Sequence, residues 1–146
     1  HAMRDSGFDP GLADPARAGV FFVTEDDLDP LSAVGRDAGL LARRIDLSGC
    51  DSKSALLLRI ATVLDFPQTS GRNWDALSDS LRDLSWLEAP GYVLLFEQAH
   101  ELRDRAETDF DTLLDILDEA SQAWAADEVP FWAFIALPEE DFPDLQ

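Results

Sequence analysis

The sequence predicts an α/β domain, a small and mostly parallel β-sheet flanked by helices. Three observations lead there. Residues 92–96 and 130–137 are continuous apolar runs of strand length, as expected for strands covered on both faces. Between and before them lie segments whose apolar residues recur at helical spacing. Near the start, two strand-like runs flank a short helical pattern, a βαβ unit whose strands should be parallel and whose crossover should be right-handed.

Taken in order, His1-Ala2-Met3 reads as a cloning remnant ahead of the natural start. Residues 1–17 as a whole carry Gly7, Pro10, Gly11 and Pro15 without periodicity, and read as an irregular arm with no assigned role. The single domain is expected over residues 18–137. Its first strand is the β-branched and aromatic run Gly19-Val20-Phe21-Phe22-Val23, expected to be buried. Glu25, Asp26, Asp27 and Asp29 then precede Leu31, Val34 and Leu40, a short helix ending near Gly39 whose N-terminal acids suit the helix dipole. These acids lack the alternating spacing with which one loop wraps calcium, and no metal site is predicted. Residues 40–47 end in a strand stopped by Ser48-Gly49. Asp51 or Ser52 caps the next helix, where Leu56, Ile60, Val63 and Leu64 form the inner face before Phe66-Pro67. Cys50, the one cysteine, sits in the turn between them; without a second thiol it forms no intramolecular disulfide and reads as structural.

Pro67 and Gly71 then mark a loop, and Asn73 is placed to cap a helix beginning at Trp74. At roughly 100° per residue, Trp74, Leu77, Leu81 and Leu84 share one sector, and Asp75, Asp79 and Asp83 fall opposite. Like charges four apart repel by about 0.2–0.5 kcal/mol per pair. Asp79 and Asp83 also lie toward the negative end of the helix dipole. By spacing alone the stripe reads as a solvated face of a very acidic protein.

Residues 85–91 connect to the central strand, which Glu97 closes. His100, Leu102 and Ala106 suit a short helix, the lone histidine being a surface or half-buried residue rather than a ligand. Thr108 and Asp111 resemble a capping pair for a longer helix with Phe110, Leu113, Leu114, Leu117, Ser121 and Trp124 inward. Glu119 lies with Asp115 and Asp118 on its outer side. In the last strand Trp132 and Phe134 read as packing residues, because no basic groove accompanies them to bind bases. Residues 138–146 read as a solvated acidic tail.

The 146 residues hold 30 Asp and Glu against 11 Lys and Arg, a formal charge of -19, while 46% are hydrophobic. That balance argues for a folded chain and against direct binding of nucleic acid or an anionic membrane, so a macromolecular partner should be basic. The single cysteine and the lack of a signal-peptide pattern imply a cytoplasmic location. No G-x-S-x-G, H-E-x-x-H, P-loop, G-x-G-x-x-G or Cys-His pairing motif occurs, and no cofactor is implied. Asp75 and Asp79 could be imagined as the acid and base of a glycosidase. A convex, wet helix face gives too little desolvation to separate their pKa values, and the chain is expected not to be an enzyme.

Phe66-Pro67, Gly71, Asn73, Asp75-Ala76-Leu77, Asp79 and Leu81 together resemble the signature of the barstar family, intracellular inhibitors of barnase-type ribonucleases. The similarity runs from about residue 41 to 137, with weaker matches at 92–97 and 113–120. It implies a barstar-like fold to which residues 4–40 add an extra strand-helix unit. It also implies a one-to-one complex of the monomer with a basic, extracellular-type ribonuclease or ribonuclease toxin, in the manner of an immunity protein. In that complex a row of carboxylates would mimic RNA phosphates. By resemblance, Asp79 is the central contact to the enzyme's arginines and catalytic histidine, Asp75 pairs another cation, and Glu119 is peripheral. The loop Thr69-Ser70-Gly71 would lie over the rest of the cleft. The chain departs from the best-known pattern in having Thr69, Ser70 and Ser78 where large aromatics stand, and Asp83 in place of a glycine, extending the stripe. The alternative is a barstar-like module that docks on a basic protein other than a ribonuclease.

Overall fold

The computed structural model describes residues 11–67 and 72–141. Its regular elements are β1 (Val20–Val23), α1 (Leu28–Asp37), β2 (Leu41–Asp46), α2 (Lys53–Val63), α3 (Trp74–Asp83), β3 (Tyr92–Glu97), α4 (His100–Arg105), α5 (Glu107–Ala126) and β4 (Phe131–Ala136). The four strands form one sheet in the order β1-β4-β3-β2, and every neighbouring pair is parallel. The strands that carry continuous apolar runs, β3 over residues 92–96 and β4 throughout, take the two interior positions, where both faces and both hydrogen-bonding edges are covered.

Alternation along the strands divides the core in two. Ile45, Tyr92, Leu94, Phe96, Phe131, Ala133 and Ile135 point to one face and pack with residues of α2, α3 and α5, among them Ile60, Leu81 and Leu117. Val93, Leu95, Trp132, Phe134 and Ala136 point to the other and pack against Leu28 and Leu31 of α1. The result is a three-layer α/β/α arrangement. Gly91 enters β3 between the neighbouring chains; a Cβ there would lie 2.7 Å from Leu40 Cδ2 and 2.9 Å from the Pro130 carbonyl, so only glycine fits.

Two expectations need correction, and the strand-helix-strand unit is parallel as expected. β1 is not buried: it is an edge strand on β4, and Phe21 is 42% exposed. The strand-helix-strand unit has parallel strands, but β1 and β2 lie at opposite edges, with α1 carrying the chain past the two interior strands. Pairing decides this, because β4 and β3 each need a partner on their second edge and β1 and β2 supply one apiece. The long helix begins before Thr108. Ala106, with φ -141° and ψ 58°, is the break after α4, and Phe110 N–H already donates to its carbonyl at 2.9 Å. Thr108 therefore lies inside the first turn and caps nothing.

The segment read as an arm without a role supplies Leu12 to the second core. Leu12 is 1% exposed, and its carbonyl accepts the Trp132 indole N–H at 2.8 Å.

Candidate functional site

The helix α3 is fixed at its start, its inner face and its end. Asn73 has an extended backbone, and its side chain accepts the Ala76 N–H at 2.7 Å, which satisfies one of the free amides of the first turn. Leu77, Leu81 and Leu84 are at most 2% exposed. Trp74 is half-buried with the Lys53 ammonium 5.4 Å from its ring centroid. The Trp124 indole N–H of α5 donates to the Leu81 carbonyl at 2.7 Å, tying the two helices together. Leu84 closes the helix in the left-handed region at φ 46°, a conformation costly for a branched side chain and held here by its burial.

With the inner face fixed, the outer one is determined. Asp75, Asp79 and Asp83 are all exposed, Asp79 with 77% of its side chain accessible. Ser78, between the first two, is half-buried. Asp75 makes no hydrogen bond or ion pair among the described residues. Asp83 accepts one from the Ser85 hydroxyl at 3.2 Å. Glu119 is exposed on α5, which packs on α3 through Trp124. Thr69, Ser70 and Gly71 lie outside the described residues.

A residue that sequence reasoning passed over stands in the same sector. Arg82 folds back along the helix, its Nη2 2.9 Å from Asp79 Oδ1 and its Nε donating to the Ser78 carbonyl at 3.3 Å. The helical angle that places Asp75 and Asp79 outward places Arg82 beside them, so the signal was in the spacing; attention to acids every four residues hid it. The exposed surface of α3 is three carboxylates and one guanidinium.

The displaced titrations of Cys50, Tyr92, Asp46 and Arg44 each have a structural cause. Burial pushes the Cys50 thiol and the Tyr92 hydroxyl up. The Ser48 N–H, 2.9 Å from its carboxylate, pulls Asp46 down. Hydrogen bonding to Asp29 outweighs the opposing effect of burial and, with a smaller contribution from Glu97, holds Arg44 up. Among the described residues no cluster of His, Cys, Asp and Glu could hold a metal ion, and no helix is long and apolar enough to cross a membrane. A groove of about 660 Å³ lies on the opposite face of the sheet, walled by Phe21, Leu31, Trp132 and Phe134 with Arg17 and Asp27 at its rim. Its apolar walls offer no nucleophile paired with a base.

The fold is shared with a solved structure of the Aeropyrum pernix ORC2 protein (ADPNP-ADP complexes), at 14% identity and a TM-score of 0.51. The match covers 82% of this chain but spans only 34% of that one, and at such identity it shows the fold alone. No curated protein matches the chain. The family model described as Barstar (barnase inhibitor) matches residues 40–136, well over half of the chain. That span holds β2, β3, β4 and the helices α2 to α5, and it leaves β1 and α1 as the added unit. By this match the chain belongs to the Barstar (barnase inhibitor) family.

Proposed function

We propose that the protein inhibits a basic ribonuclease of the barnase type, or a toxin with that fold, by placing the outer face of α3 in the enzyme's active site. The observation that carries the reading is the coincidence of the family match with a helix whose inner face is locked in the core and whose acids face solvent. A ribonuclease must hold polyanionic RNA and does so with cationic side chains. Carboxylates one helical turn apart, about 5–6 Å between their Cβ atoms, offer such a site acceptors in fixed register. Asp79 is the central contact, Asp75 and Asp83 extend it along the helix, and Glu119 on α5 contributes at the edge. Ser78 and the loop Thr69-Ser70-Gly71 complete the contact surface. The formal charge of -19 adds long-range attraction to a basic enzyme, which makes association fast and salt-sensitive. No catalysis by this chain is needed.

The test is RNA cleavage by basic barnase-type ribonucleases with and without the protein, at low and high salt, and again with Asp79→Ala. Stoichiometric inhibition that weakens with salt and is lost in the variant supports the reading. Absence of inhibition across such enzymes, together with a tight complex with a basic protein lacking nuclease activity, would replace it by the docking-module alternative.

A further inference from the structure

The ion pair on the outer face of α3 bears on how that face engages a cation. Asp79 is the carboxylate on which the proposed function most depends, and in the free protein it is already paired. Arg82 donates to it at 2.9 Å while its Nε reaches the Ser78 carbonyl at 3.3 Å. The arginine thus lies back along the helix toward the Ser78 backbone. The pair is solvent-exposed, with 46% of the Arg82 side chain and 77% of the Asp79 side chain accessible, so it is weak and exchangeable. It supports no core contact; the leucines beneath hold the helix regardless.

We propose that Arg82 is an internal competitor for Asp79, so that a partner is captured by exchange of one cation for another. This deepens the inhibitor reading for the same site. A single mobile cation gains little against a guanidinium already present on the same helix. A pocket that converges several fixed cations on Asp75, Asp79 and Asp83 gains enough to displace it, because its groups lose less freedom on pairing. Arg82 therefore raises the threshold for binding and selects against loose polycations, which a formal charge of -19 attracts.

Removing any positive charge from an acidic protein strengthens its attraction for cations, so the test needs a control of equal charge. Arg72 supplies it: it is exposed one residue before Asn73 and has no carboxylate partner among the described residues. The probe is an N-acetylated hexa-arginine amide, titrated at low salt into the full chain, with affinity read from the backbone amide shifts of residues 75–83. Arg82→Ala and Arg82→Gln are expected to tighten this local affinity about two- to fivefold, the range an exposed pair allows. Arg72→Ala should change it less. In an Asp79→Asn background, Arg82→Ala should have no effect beyond that of Arg72→Ala. Equal effects of the Arg82 and Arg72 substitutions, or weaker binding on loss of Arg82, would overturn the proposal. Ribonuclease inhibition is measured in parallel: if the peptide series ranks as stated while no ribonuclease is inhibited, competition stands and the inhibitor reading falls; if inhibition is found while the series does not rank so, the reverse holds.

Discussion

Two acid-rich segments of this chain differ in what their carboxylates touch. At the start of α1, Glu25 accepts the Gln98 N–H at 2.8 Å, Asp27 accepts both the N–H and the hydroxyl of Thr24, and Asp29 in the first turn pairs with Arg44, which also reaches Glu97. Glu25 and Asp29 thus join distant segments of chain, Asp27 caps its own turn, and only Asp26 has no partner among the described residues. Along α3, Asp75 has no partner among the described residues, Asp83 meets one hydroxyl, and Asp79 meets a neighbour on its own helix. A carboxylate that bridges distant segments is part of the fold. One that stands on a rigid element and bridges nothing is available to another molecule, and the partner list separates the two where acid content cannot.

Substitutions can break this contrast. The largest effect is expected from Asp79→Ala, which should weaken ribonuclease inhibition by about 3–5 kcal/mol, more than about 100-fold, since it strands a cation in the enzyme's pocket. Its thermal stability should stay within about 0.5 kcal/mol of the parent, whereas Asp29→Ala should lower stability slightly and leave inhibition intact. If Asp79→Ala unfolds the chain, the division of roles is wrong. Next come the cores. Leu81→Ala and Leu28→Ala each remove a fully buried side chain and should cost about 2–5 kcal/mol in denaturant unfolding. Only Leu81→Ala, on the inner face of α3, should also weaken inhibition per folded molecule.

Smaller is Asn73→Ala, which removes the cap of α3 and should cost about 1 kcal/mol; urea titration reads it directly, and Asn73→Asp should restore most of the loss. The smallest concerns Asp46, whose carboxyl is held below its ordinary range by the Ser48 N–H. A depressed folded pKa gives stability that is complete above the unfolded value and disappears as pH falls through the folded one. The stability difference between the parent and Asp46→Ala should therefore be present at neutral pH and shrink in acid, below the usual aspartate range.

Local chemistry made much of the architecture legible. The cap at Asn73, the amphipathic face of α3 and the apolar runs of β3 and β4 are each encoded within a few residues, and each is found where spacing puts it. Pairing order was not legible. Whether Val20–Val23 lies beside β2 or beside β4 depends on contacts between residues more than a hundred apart, for which no short pattern exists. The start of α5 was misread because Thr108 and Asp111 fit a cap equally well in a chain that had not already turned at Ala106. In the candidate site the acids were legible as exposed. The arginine among them was visible in the same angular sector, but its duty depends on which way its side chain lies, and spacing does not specify that.

The added unit also changes the fate of β4. In the part of the chain that matches the family, Phe131–Ala136 would be the last strand of its sheet, six apolar residues with one row of backbone donors and acceptors unmatched. Such a rim recruits other copies of itself, and fibres grow from it. The four residues of β1 cover most of that row, moving the rim to a strand too short to template much growth. With β1 in place, most of the outer row of β4 is no longer open to edge-to-edge pairing between copies of the chain.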